Sequence, residues 1–232
     1  MSNTVVIHQP DFLPYLGFFH RLLKADLFIL LDHVQFVHSN RGWTHRDKIK
    51  TPQGVRWITI SVKKAPRETA INNVVLSKTS QWRENNFNLF RANYREAPFF
   101  DEIMPMIEGL YQKNHSKLVD ITSDSILLLL NMFDIHIPIV YSSNMNPQKH
   151  KNDLIVELCN KVQATHYLSG VGAKDYFRSE PFSRSGIEVI WQNFNHPIYK
   201  QLHGEFLPYL SSIDLLFNCG IAKSRKILVN ID

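Results

Sequence analysis

Two short apolar runs, TVVIH (4–8) and LFILLD (27–32), enclose YLGFFHRLLKAD, whose apolar residues recur on one face at helical spacing. Strand, helix and strand within 32 residues constrain the fold more than any other feature, because such a unit builds a parallel pair with a right-handed crossover. VRWITISVK follows as a third strand, with Trp57, Thr59 and Ser61 alternating with Ile58, Ile60 and Val62. The middle of the chain is helical. SQWRENNFNLFRANYREAP opens with Ser80 as N-cap and stops before Pro98. FFDEIMPMIEGLYQKN is a helix kinked or begun near Pro105, and VDITSDSILLLLNMF is a buried one. Alternation then returns: strand HIPIVYSS, helix KNDLIVELCNKV, strands THYLSG and GIEVIWQ, and helix PYLSSIDLLFNCG ending at Gly220. The pattern predicts an α/β fold with a mostly parallel, three-layer, Rossmann-like sheet. It predicts one domain over 1–232, with 80–135 as a helical insertion or cap.

Composition limits the partners. With 232 residues, 44% apolar and 20% charged, the chain can build a sizeable core without disulfides. Cys159 and Cys219 are the only cysteines, which fits a reducing compartment and argues against a Cys-rich zinc module. The N-terminus lacks a signal-peptide pattern, and the longest apolar run is too short to cross a bilayer. The expectation is a cytoplasmic protein with no membrane span. A formal charge of +5 suits an anionic partner such as a phosphate-bearing small molecule. The basic residues are scattered and nucleic-acid motifs are missing, so nucleic acid is not expected.

Sheets of this class bind ligands beyond the carboxyl ends of their strands. Three polar loops should lie there: HQPDFLP, DHVQF and SGVGA. In the first, Pro10 and Pro14 stiffen a loop that can present His8 and Gln9 to a ligand. The alternative for His8 is a strand-end ring satisfied by a backbone carbonyl. Asp32 can orient His8 or His33, hold a ribose hydroxyl, or simply cap its loop, and Gln35 flanks the same exit. NRGWTHRDKIK, with Arg41, His45, Arg46, Lys48 and Lys50, reads as a basic loop able to clamp an anion. Trp43 can stack on a base or sugar ring. In YLSGVGAKDY, Ser169, Gly170 and Gly172 precede a short helix and can offer N–H groups to an anion; a turn needing positive φ is the alternative.

Other chemistries find less support. His8, His20, His33, His38 and His45 crowd the first 45 residues, but no HExxH or HxH spacing occurs, so no metal is expected. Both cysteines sit on apolar helix faces. Ser169 lacks the upstream glycine of a nucleophile elbow.

HQPDFLPYLGFF, LDHVQF, RGWTHRDKIK, THYLSGVGAKDY and SSIDLLFNCG, in that order, resemble the WbqC-like family over nearly the whole chain. The resemblance implies work in bacterial O-antigen and other surface-glycan gene clusters, on nucleotide-linked or lipid-linked sugars. It gives weight to His8, Gln9, Asp32, Gln35, Arg46, Ser169, Gly170 and Gly172. His20 and His45 depart from the family pattern. The N-terminal order of elements is also similar to HIGH-motif nucleotidyltransferases such as pantothenate synthetase, although HxGH spacing is absent. Together these resemblances imply a transferase acting on a nucleotide-linked amino sugar, by N-acyl or aminoacyl transfer, with an acyl donor or ATP as co-substrate. In that scheme His8 is the general base, Asp32 orients it, Arg46 and Lys48 bind the diphosphate, and the Ser169–Gly172 loop holds an oxyanion. The alternatives are an ATP-using nucleotidyltransferase and a non-catalytic sugar-binding partner of a biosynthetic enzyme.

Overall fold

The computed structural model describes residues 2–38 and 42–231. In chain order the elements are β1 (Thr4–His8), α1 (Leu16–Leu22), β2 (Leu27–Leu30), β3 (Arg46–Thr51), β4 (Gly54–Thr59), α2 (Trp82–Tyr94), α3 (Phe100–Gln112) and α4 (Leu118–Phe133). There follow β5 (Ile139–Tyr141), α5 (Lys151–Lys161), β6 (His166–Ser169), α6 (Glu180–Arg184), β7 (Glu188–Trp191) and α7 (Ile213–Val229). Five strands form one parallel sheet in the order β5-β2-β1-β6-β7. The α/β, Rossmann-like expectation is met.

The strand sequences explain the layering. In β1, Val6 joins the larger apolar cluster, whereas Val5 and Ile7 join the smaller one. In β2, Phe28 and Leu30 face the first cluster and Ile29 the second. Strands buried on both faces must be apolar at every position, which is why these runs show no alternation. Leu154, Leu158, Cys159 and Phe182 from α5 and α6 cover one face. α1, α3, α4 and α7 cover the other through Leu16, Phe19, Ile107, Leu129 and Phe217. Trp82 and Phe90 of α2, with Ile49 and Ile58 of the hairpin, belong to this same cluster.

Several local expectations are corrected. RDKIK is not a loop: it is β3, paired antiparallel with β4 as a separate two-stranded sheet. Its charges conceal a strand whose buried positions include Asp47, Ile49 and Lys50. The N-cap of α2 is Gln81, while the Ser80 hydroxyl bonds Ser61 at 3.0 Å. α3 starts at Phe100 and runs through Pro105. A second helical stretch runs on within α7 to Val229, beyond the expected end: Gly220, with φ 72° and ψ 167°, does end the stretch begun at Ile213. A Cβ there would lie 2.6 Å from the Phe99 ring, so both its dihedrals and its neighbours require glycine.

One buried network ties the outer parts together. Asp214 of α7 accepts hydrogen bonds from Tyr94 at 2.7 Å, Tyr199 at 2.8 Å and Gln201 at 2.8 Å. Lys50 donates its backbone N–H to Tyr94 and its ammonium to Gln201 and to the carbonyls of Gly204 and Glu205. Every charge in this group has partners, as buried charges require.

Candidate functional site

The chain leaves β1 on one side to reach β2, and returns through α5 to place β6 on the other side of β1. β1 and β6 therefore flank the topological switch point, beside which sheets of this type have their ligand crevice. The segments 8–15 and 169–176 follow these two strands and would be the walls of such a crevice.

The first wall is held rigidly. Leu13 sits at φ 46°, an uncommon backbone state for a branched residue, and is fully buried. Its N–H bonds the Ser125 hydroxyl of α4 at 3.2 Å, and its carbonyl accepts from Ser211 at 2.6 Å. Ser212 N–H reaches the Pro14 carbonyl at 3.0 Å, and Phe12 N–H reaches the Trp43 carbonyl at 3.4 Å. Gln9 accepts a bond from Thr44 at 3.3 Å. Three distant segments thus fix the elbow, and such over-determination is what sustains strained backbone at functional sites. Gly17 belongs to the same device, because a Cβ there would fall 2.4 Å from the Tyr15 ring.

From this elbow His8 and Asp11 face each other, with Nδ1 3.5 Å from Oδ2. Nδ1 lies 3.0 Å from the Gln9 carbonyl, which can only accept, so Nδ1 carries the proton. Nε2 is left as a lone-pair acceptor with no partner among the described residues. The imidazole stands perpendicular to the Phe18 ring, with ring centroids 5.3 Å apart. The His8 side chain is 30% exposed, so one edge meets solvent. Burial of the rest, and then the charge of Arg21, push its pKa down to about 3. Asp11 moves the other way: burial raises its carboxyl to about 7, against the opposing pull of Arg21. Asp47, buried on β3, is raised well above the carboxylate range by burial, and the charge of Asp11 adds to this. Tyr15 is raised by burial too, and feels Arg21, Asp11, Tyr209 and Asp47. These charged and polar groups therefore converge at the β1 end.

Arg21 lies at the centre of that field. It is on α1, 5% exposed, and forms neither a hydrogen bond nor an ion pair with any described residue. Its Nη1 approaches so near Gly170 that a Cβ there would lie 3.0 Å away. Gly170 has φ −73°, so its lack of a side chain serves close approach, not a positive-φ turn. Gln192, beyond β7, closes this wall by donating to the Gly17 carbonyl at 2.8 Å and meeting His20 Nδ1 at 3.0 Å.

The hairpin adds a second surface. Trp43 and Trp57 are 43% and 37% exposed, with ring centroids 5.3 Å apart. The Arg46 guanidinium lies 4.1 Å over Trp57, and Lys48 Nζ is 5.1 Å from the Trp43 centroid. Strand alternation sends Arg46 and Lys48 to this aromatic face and Asp47 to the buried one, which a loop would not have done. Arg41 lies outside the described residues.

Other expected residues have different work. Asp32 does not orient His8. Its Oδ1 accepts from Ser142 Oγ at 2.9 Å and Ser143 N at 2.8 Å, and its Oδ2 from Ser143 Oγ at 2.6 Å, so it straps the ends of β2 and β5 together. His33 is bonded to Ser142 at 2.6 Å. Gln35 is exposed and donates to the Arg67 carbonyl at 2.7 Å. Ser169 is buried, with its hydroxyl 3.4 Å from Tyr167 Oη. Gly172 is exposed, and a Cβ there would touch nothing within 4 Å. His20 is buried between Gln192 and the Ile231 carbonyl. His45 stacks on His38 at 5.5 Å, and burial lowers its pKa to about 4. Among the described residues no three metal-ligating side chains are grouped. A shallow depression of about 800 Å³ along α5 and α6, lined by Lys149, Glu157 and Arg184, contains none of the candidate residues.

Two members of this site were missed in the sequence. Asp11 stood beside His8 in HQPDFLP, and its place between two prolines was the available signal. Arg21 lies in the helical stretch YLGFFHRLLKAD, and nothing in its local pattern distinguishes it.

The model of the WbqC-like protein family matches residues 9–226. The chain is also 30% identical over 220 residues to the uncharacterized protein Rv1507c of Mycobacterium tuberculosis, covering 94% of each chain. No solved structure matches. The family match begins at Gln9, just after His8, and spans the rest of both segments at the switch point, the hairpin and most of α7, so this chain belongs to the WbqC-like protein family.

Proposed function

We propose that this protein is an enzyme of bacterial surface-polysaccharide (O-antigen) biosynthesis that modifies a nucleotide-linked amino sugar by N-acyl or aminoacyl transfer. The observation that carries the reading is His8: an imidazole whose Nδ1–H is held by the Gln9 carbonyl, leaving Nε2 without a partner among the described residues, on a rigid elbow at the switch point beside the Asp11 carboxyl. In this reaction the sugar amine attacks the acyl carbonyl. A C–N bond forms, the donor's leaving group departs with its bonding pair, and the amine loses a proton to His8 Nε2. Asp11, with its pKa near neutrality, takes the neighbouring role first expected of Asp32 and can exchange the proton with solvent. Trp43 and Trp57 offer faces on which a nucleobase can stack, and Arg46 and Lys48 beside them suit the diphosphate.

The test has two stages. A thermal-shift screen with nucleotide-linked amino sugars, ATP and acyl-CoA identifies what binds; a ligand at 100 times its dissociation constant adds about 2.7 kcal/mol of stability. Turnover with the ligands found, followed by product mass, then identifies the reaction. His8→Ala should lower turnover by about 10²- to 10⁴-fold with an unchanged far-UV spectrum. Full activity in that variant ends the assignment of His8.

A further inference from the structure

We infer that Arg21, backed against Gly170, is a receptor for an oxyanion: the end of the ligand that reaches the β1/β6 switch point first carries a carboxylate or a phosphate. The inference deepens the function proposed above and rests on it only for the identity of the whole ligand. Four observations support it. Arg21 is 5% exposed, yet no described residue accepts a hydrogen bond from it or stands opposite it as an ion pair. Its Nε is wholly buried without a partner among the described residues. A buried charge is normally paired, and the contrast with Lys50, which has three ammonium partners, lies within this same chain. Gly170 is kept small where a Cβ would sit 3.0 Å from Nη1, so the opposite wall makes room for this guanidinium.

Nearby chemistry selects the ligand. A guanidinium is planar and grips carboxylate or phosphate oxygens through paired N–H donors. Asp11, whose carboxyl feels its charge, does not form an ion pair with it, and burial raises that carboxyl to about 7. Tyr15 and Tyr167, both within the field of Arg21, are phenols that stay neutral, because burial raises both. The surroundings therefore leave the positive charge open to an incoming anion.

The test uses the full chain and simple probes. Inorganic phosphate and acetate are titrated separately by calorimetry and thermal shift against wild type, Arg21→Gln, Arg21→Met and Gly170→Ala. At least one probe should bind wild type, and which one tells a phosphate-bearing from a carboxylate-bearing ligand. Binding should weaken roughly tenfold or more in both Arg21 variants. Gly170→Ala, which keeps the charge but crowds it, should also lose affinity. Without ligand, Arg21→Met should unfold at or above the wild-type temperature, because it removes an unpaired buried charge. If neither probe binds wild type, or if one binds all four proteins equally, the receptor does not exist. A markedly destabilised Arg21→Met that still binds the probe like wild type would assign Arg21 to scaffolding. None of these outcomes depends on sugar turnover, so failure of the proposed activity and failure of the receptor are separate results.

Discussion

Asp11 and His8 sit beside the same strand end, yet burial moves them in opposite directions with respect to stability. The folded Asp11 pKa, about 7, is above its ordinary value of 3.8. Between those limits the folded state holds more protons than the unfolded one, so stability contributed by Asp11 falls as pH rises toward 7. The folded His8 pKa, about 3, is below its ordinary 6.5. Here the unfolded state binds more protons, so the His8 contribution rises with pH from about 3 to 6.5. Asp11→Asn should therefore raise stability at pH 8 by on the order of 1 kcal/mol or more, with the gain vanishing below about pH 4. Urea melts of both proteins at pH 4 and pH 8 measure it; equal midpoints at pH 8 would contradict the shift. At this scale the sequence revealed half the site. His8 was legible because it ended an apolar strand before two prolines. Arg21 was not, because a charged residue on a short helix normally points to water, and only the position of β6 turns it inward.

At the level of elements, the strands of the central sheet were readable because burial on two faces leaves uninterrupted apolar runs. The hairpin was not, since Arg46, Asp47, Lys48 and Lys50 make β3 look like a loop. The strand pairs with β4 over six residues, Asp47 and Lys50 are buried, and the Lys50 ammonium is held by partners 151 to 155 residues away that no local pattern encodes. Asp32 was noticed for the right chemistry and assigned the wrong partner: its carboxylate meets hydroxyls 110 residues away in sequence. Asp32→Ala removes three accepted hydrogen bonds and should cost about 3 kcal/mol, read from the chemical midpoint. A loss below about 0.5 kcal/mol would show that the strap is dispensable. Gly220→Ala meets both a positive φ and the Phe99 ring, and should cost roughly 1–3 kcal/mol. A neutral outcome would mean that the two halves of α7 can realign.

Over the whole molecule, the mostly parallel, layered α/β class was predictable from alternating strands and helices, whereas the strand order was not. The joining of the helical middle to the main body was not. Trp82, Phe90, Ile107 and Leu129 share one apolar cluster with Val6 and Phe28 of the sheet. We accordingly propose that the chain folds as one unit, with 80–135 as an insertion built into it. Chemical unfolding should show one transition, coincident by Trp fluorescence and far-UV circular dichroism. Two separated transitions would restore an independent cap. No helix among the described residues is long and apolar enough to cross a membrane.

The left-handed turn at Leu13 has a consequence in time as well as space. Its two peptide groups are gripped by hydroxyls at positions 125 and 211, one midway along the chain and one near its far end. During synthesis this bend cannot be locked until the segment around Ser211 has been made and has docked.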